Sequence, residues 1–157
     1  MITKKQLLNK KFNMRGLIGE ENMEDFEIEE EPTKNNSNEF CKIISILFHS
    51  QTQTHTLHLQ TQSYAEHVAL QKYYEGINPL TDTLVESYQG KYGILKGYKT
   101  MNIQDWESTE QTSNYLKKTF SQIEELKTCC EDTYILNQID TICELINSTL
   151  YKLRFLN

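Results

Sequence analysis

The four histidines of this chain, His49, His55, His58 and His67, fall within nineteen residues, and they are its most informative chemical feature. Imidazole is a neutral nitrogen donor near physiological pH, so such a cluster suggests metal ligation. A helical wheel sorts them. At about 100° per residue, His58 lies near the centre of the apolar stripe that begins at Phe40, His55 lies at its edge, and His49 lies on the opposite face. His49 therefore drops out of any shared site. His67 follows a short turn and returns close to His58 if the two flanking helices form an antiparallel hairpin. Asp82 and Glu86 have an i, i+4 spacing that sets two carboxylates on one helical face about 6 Å apart. Two imidazoles with two carboxylates suit iron, manganese or zinc. Taken singly, each group has a plainer reading: a solvated carboxylate pair, or a hydrogen-bonded core histidine.

The elements that must position these groups are helical. Two prolines and six glycines in 157 residues are few for an all-β chain, which needs them at its many turns. Phe40, Ile43, Ile44, Leu47 and Phe48 recur at helical spacing, and the stripe turns polar through Gln51, Thr54, His55 and His58. Ser63-Tyr-Ala-Glu66 has the form of a capping box, which predicts a second helix beginning near Tyr64. That helix carries His67, Leu70, Tyr74, Ile77, Leu84, Val85 and Tyr88 and ends near Gly90, with a kink or short break expected around Asn78 because Pro79 lacks a backbone donor. Residues 91 to 107 read as a connector. A third helix, about 108 to 129, is marked by Thr112, Tyr115, Leu116, Thr119, Phe120, Ile123 and Leu126. Ile135, Ile139, Ile142, Ile146, Leu150 and Leu153 mark a fourth. The expected fold is an all-α, antiparallel four-helix bundle over residues 39 to 157.

Residues 1 to 38 read as a disordered, charge-segregated tail: six basic side chains, among them Lys4, Lys5, Lys10, Lys11 and Arg15, lie mostly ahead of eight acidic ones between Glu20 and Glu31. The Thr33 to Asn38 run has almost nothing to bury and reads as a linker. Phe12, Met14, Leu17, Ile18, Met23, Phe26 and Ile28 offer a partner a short linear segment within residues 1 to 31. The net charge of −6 opposes a nucleic-acid surface spread over the fold, so DNA ranks last among partners. No apolar run reaches the eighteen or so residues needed to span a bilayer, and the N-terminus lacks a signal-peptide core, which places the protein in a cytoplasm. Cys41, Cys129, Cys130 and Cys143 form no Cys-x-x-Cys spacing and read as reduced, mostly buried thiols. No phosphate loop, zinc-finger spacing or nucleophile elbow is present.

Thr54-His-Thr-Leu-His58, Tyr64-Ala-Glu-His67 and Asp82-Thr-Leu-Val-Glu86 together resemble the first two helices of ferritin-like proteins of the starvation-induced DNA-protecting (Dps) type. The fifteen-residue step from His67 to Asp82 and the four-residue step to Glu86 match that family's pattern. More narrowly, His58 to His67, Ser87-Tyr-Gln-Gly-Lys-Tyr-Gly93 and Leu150-Tyr-Lys-Leu-Arg-Phe-Leu156 look like an uncharacterised ferritin-like group encoded by tailed phages. The resemblance covers roughly residues 40 to 156. It implies a ferritin-like bundle, a homo-oligomer of at least two chains, and a ferroxidase site in which His58 and His67 of one subunit face Asp82 and Glu86 of its two-fold mate. Iron is the metal implied, with manganese or zinc as alternatives, and His55 as a supporting group or an alternative ligand. The competing expectation is a non-enzymatic phage structural or interaction protein that keeps the bundle and binds a virion or host partner through its tail. Either role belongs in the bacterial host cytoplasm or with the virion.

Overall fold

A computed structural model describes residues 34 to 156. Expectations for residues 1 to 33, including the tail's disorder and its partner-binding segment, lie outside the described residues. Four α-helices follow one another: α1 (Lys34–Gln60), α2 (Tyr64–Tyr92), α3 (Thr109–Leu126) and α4 (Thr133–Phe155), with a 3₁₀ turn at Lys127–Cys129 between the last two. No strand occurs among the described residues. Helix α1 begins at Lys34, inside the segment read as linker. The apolar face that starts at Phe40 anchors the helix, and the four residues before Asn38 extend its first turn outward at little further cost.

Packing runs around a square in which α1 touches α2 and α3, and α4 touches α2 and α3. The three-residue turn at 61 to 63 makes α1 and α2 antiparallel. Helix α3 starts beside that same turn, because Thr109 at its N-terminus donates to Glu66 at the start of α2. It therefore runs parallel to α2, on the opposite corner of the square, and α4 returns parallel to α1. Every packed pair is antiparallel, and one long crossover joins α2 to α3. The core is built from Phe40, Ile43, Ile44 and Leu47 of α1, Leu70, Tyr73, Ile77 and Leu84 of α2, Leu116 and Ile123 of α3, and the isoleucines 135, 139, 142 and 146 of α4. Phe40 and Tyr88 stack at 3.7 Å where α1 begins and α2 ends.

Pro79 does not break α2, which runs unbroken from Tyr64 to Tyr92. Proline removes one i to i−4 bond, here to the Glu75 carbonyl, and Glu75 is exposed and so accessible to water. Ile77 and Leu84 on either side are fully buried and hold the helix on its neighbours. Helix α2 then stops at Gly93, whose φ of 87° lies in the left-handed region that favours glycine.

The crossover, residues 93 to 108, has no secondary structure of its own. Polar side chains of α1 bind its backbone instead. Ser45 Oγ accepts from the Lys99 N–H at 2.9 Å. His49 Nε2 donates to the Asn102 carbonyl at 3.1 Å. Gln53 makes a two-way amide pair with Gln104, receiving from its N–H at 2.8 Å and donating to its carbonyl at 2.7 Å. Gln60 Oε1 accepts from the Trp106 N–H at 2.7 Å. From Ser45 to Gln60 the helix rises about 22 Å at 1.5 Å per residue. From Lys99 to Trp106 an extended chain covers about 23 Å at 3.3 Å per residue. The lengths agree, so this part of the crossover lies extended along α1. A polar face of α1 distinct from its apolar stripe thus satisfies the crossover's backbone, which would otherwise lie unpaired against the bundle.

Candidate functional site

The α1–α2 turn brings His58 and His67 together. Their rings stack with centroids 3.7 Å apart and planes inclined at 22°. His58 Nδ1 bonds the carbonyl of His67 at 2.8 Å, and His67 Nδ1 bonds the carbonyl of His58 at 3.0 Å. A carbonyl only accepts, so each Nδ1 carries the proton. In the neutral rings both lone pairs therefore reside on Nε2. A metal-bound histidine commonly has this arrangement, with its second nitrogen fixed by a backbone carbonyl. His58 is buried and His67 half-buried.

Two further rings complete the cluster. His55, exposed at the edge of the stripe, stacks on Tyr74 at 4.2 Å, and Tyr74 meets His58 edge to face at 5.2 Å. The centroids of His55 and His58 are 6.0 Å apart. Tyr74 was expected on the core side of α2, but Tyr73 is the fully buried residue there, its hydroxyl donating to Ser50 at 2.9 Å. Burial pushes the Tyr73 phenol well above its ordinary pKa. His49 lies apart from the cluster, as its helical position predicts. Its Nε2 serves the Asn102 carbonyl, so Nδ1 accepts from the Tyr115 hydroxyl at 2.9 Å.

Asp82 and Glu86 are exposed on α2. Fifteen helical residues separate Asp82 from His67, about 22 Å along the axis, so one chain cannot bring the histidines and carboxylates to one ion. Among the described residues, no group of three or more histidine, cysteine, aspartate or glutamate side chains is arranged to hold a metal. The paired rings also aim their lone pairs along separate lines. With centroids 3.7 Å apart and planes inclined at only 22°, the ring planes meet far beyond the reach of a metal–nitrogen bond of about 2.1 Å. An ion bound in plane by both rings requires the stack to open.

Beside the histidines lies a carboxylate whose role the sequence pattern only partly reveals. Ser63 caps α2 by accepting from the Glu66 N–H at 3.2 Å, but the Glu66 side chain does not close the box. It is fully buried and accepts from Thr61 Oγ1 and Thr109 Oγ1, both at 2.7 Å, and from Trp106 Nε1 at 3.1 Å. Glu66 thereby ties together the α1–α2 turn, the end of the crossover and the start of α3. Thr61, two residues before Ser63, instead takes the Ser63 N–H at 3.2 Å. The opposite end of the bundle has a similar clasp, in which Asp132 accepts from Lys91 Nζ at 2.8 Å and from the Tyr92 hydroxyl. Burial acts to raise the Asp132 pKa, but the bonds from Lys91 and Tyr92 outweigh it and leave the carboxyl below its ordinary value. Burial and the same carboxylate push the Tyr92 phenol up to about 12.

Cys41, Cys130 and Cys143 are buried, and none of the three is in a disulfide. Burial and the nearby Glu124 carboxylate push the Cys143 thiol up to about 12, which keeps it protonated and unreactive. No helix among the described residues is long and apolar enough to cross a membrane.

No curated protein and no solved structure matches the chain. One family model does, and it begins at His58, the first of the paired histidines. Matching that model over residues 58–153, the chain belongs to DUF5856, a family of unknown function.

Proposed function

We propose that the chain is a ferritin-like metal-binding protein that oxidises and sequesters iron at a site shared between two subunits. The observation that carries this reading is the reciprocal pairing of His58 and His67, which commits both Nδ1 atoms to backbone carbonyls and leaves both Nε2 atoms as donors. The bundle's connectivity supports it, since four antiparallel-packed helices with one long crossover characterise ferritin-like folds. Once the stack opens to let both rings reach one ion, Asp82 and Glu86 complete the donor set from a second subunit. Their exposure, and their distance from His67 within one chain, are what a shared site requires.

In this reading iron is substrate. Ferrous ion loses an electron to peroxide or dioxygen, and the ferric product is retained by the assembly. The carboxylates balance ferric charge, and the imidazoles supply neutral donors on the other side. His55 and Tyr74 support the histidine pair through their ring contacts. Manganese and zinc suit the same donors. The test is elemental analysis of untagged protein after iron loading, with His58→Ala/His67→Ala and Asp82→Ala/Glu86→Ala variants alongside. About one or two equivalents of metal per site, lost in both variants, support the shared site. A wild type that retains no metal after loading overturns it.

A second reading is a non-enzymatic structural or interaction protein that binds a virion or host partner. Leu59, Tyr64, Phe155 and Leu156, each more than half exposed, offer apolar side chains to such a partner.

A further inference from the structure

The two halves of the reciprocal histidine pair close different backbone positions. The carbonyl of His58 is one of the last four of α1, which have no donor inside their own helix. Among the described residues, its donor is the His67 Nδ1–H at 3.0 Å. His67 therefore caps the C-terminus of α1 from the first turns of α2. The carbonyl of His67 lies inside α2, where helix register gives it the Gln71 N–H, and it receives the His58 Nδ1–H at 2.8 Å in addition.

The rings also differ in their freedom to turn. His58 is 7% exposed, stacked on His67 and met by the edge of Tyr74, which is itself stacked on His55. His67 is half-buried, and among the described residues its ring meets no other ring than that of His58. With the planes inclined at only 22°, one ring must turn before both Nε2 atoms reach one ion. Turning His58 would unpack it from Tyr74 inside the bundle. Turning His67 opens only the cap, and with Leu59 and Gln60 exposed beside it, water can take the vacated carbonyl.

We propose that His67 is the moving ligand of the pair. Without metal its ring caps α1; with metal it leaves the His58 carbonyl and brings its Nε2 to an ion that His58 holds from a fixed position. Metal uptake thereby releases the C-terminus of α1, while His58 keeps its Nδ1–H on the His67 carbonyl. The proposal rests on the metal-binding reading and adds to it which side chain moves and what that side chain gives up.

The test is a ring-nitrogen correlation spectrum of the isotope-labelled full chain, metal-free and then with Zn²⁺ as a diamagnetic probe of the same donors. Before Zn²⁺, both Nδ1 protons are expected to be protected from solvent exchange. At saturating Zn²⁺, both Nε2 resonances should shift as ligated nitrogens. The His58 Nδ1 proton should persist, and the His67 Nδ1 proton should exchange roughly 10-fold faster or more. Zn²⁺ on both Nε2 atoms with the His67 proton still protected, or with the His58 proton lost, overturns the proposal and leaves the metal reading standing. So does Zn²⁺ held by one ring alone, or a His67 proton already in free exchange before Zn²⁺ is added. Ring nitrogens that do not respond to Zn²⁺ at all overturn the metal reading and the proposal together, so the two failures are distinguishable.

Discussion

Replacing Glu66 with alanine removes the group on which three segments converge. Thr61, Thr109 and Trp106 all donate to its carboxylate, which has no exposed surface. A hydrogen bond to a charged group contributes about 1.5–3 kcal/mol net, so three give roughly 4.5–9 kcal/mol. Against this, truncation relieves the several kcal/mol spent on desolvating a carboxylate. The expected loss is about 3 kcal/mol, a fall in Tm of roughly 6–12 °C for a chain of this size. Glu66→Gln keeps the shape and is milder, about 1–2 kcal/mol. Threonine hydroxyls can turn to accept from the amide, whereas the indole can only donate. Calorimetry gives the stabilities, and Trp106, the single tryptophan, reports locally by fluorescence. An alanine variant that melts within about 3 °C of wild type, with unchanged Trp106 emission, would refute the reasoning.

At the other end of the bundle, Asp132 has a lowered pKa in the folded chain. A depressed carboxyl stabilises the fold above its unfolded value, about 3.9, and loses that contribution as pH falls through the folded value. Asp132→Asn is therefore expected to flatten the stability curve below about pH 4 in urea titrations, and an unchanged acid limb would count against the Lys91–Asp132–Tyr92 clasp. Tyr73→Phe deletes the buried hydroxyl that donates to Ser50, at a cost of about 1 kcal/mol by denaturant unfolding. A loss above about 3 kcal/mol would mean that the ring had been displaced and not merely its hydroxyl removed.

The bundle was legible because its apolar periodicity is strong: Ile135, Ile139, Ile142 and Ile146 are all fully buried, as a 3.6-residue stripe predicts. Return of His67 to His58 also followed from spacing, since a three-residue turn leaves the helices no other course. Three features were less legible. Pro79 carries a strong breaking signal, yet tertiary packing on both sides keeps α2 continuous. Tyr73 and Tyr74 are adjacent aromatics about 100° apart on the wheel, and which one enters the core depends on neighbours that periodicity does not specify. The role of Glu66 needs Thr109 and Trp106, more than forty residues away, so a local capping rule found its position but not its partners. The polar residues Ser45, His49, Gln53 and Gln60 at helical spacing carried a readable signal for a second chain segment lying along α1. Recognising that the segment is the crossover required the structure.

The central claim, that histidines of one chain and carboxylates of another share an ion, is tested most directly by complementation. The His58→Ala/His67→Ala and Asp82→Ala/Glu86→Ala variants are unfolded together, refolded as an equal mixture and loaded with iron. Each variant alone should bind no site metal. In the mixture, half of the dimers are mixed, and each mixed dimer has one of its two sites intact, so metal content should recover to about a quarter of the wild-type value. A mixture as empty as its two components, beside a wild type that binds metal, would contradict the shared site.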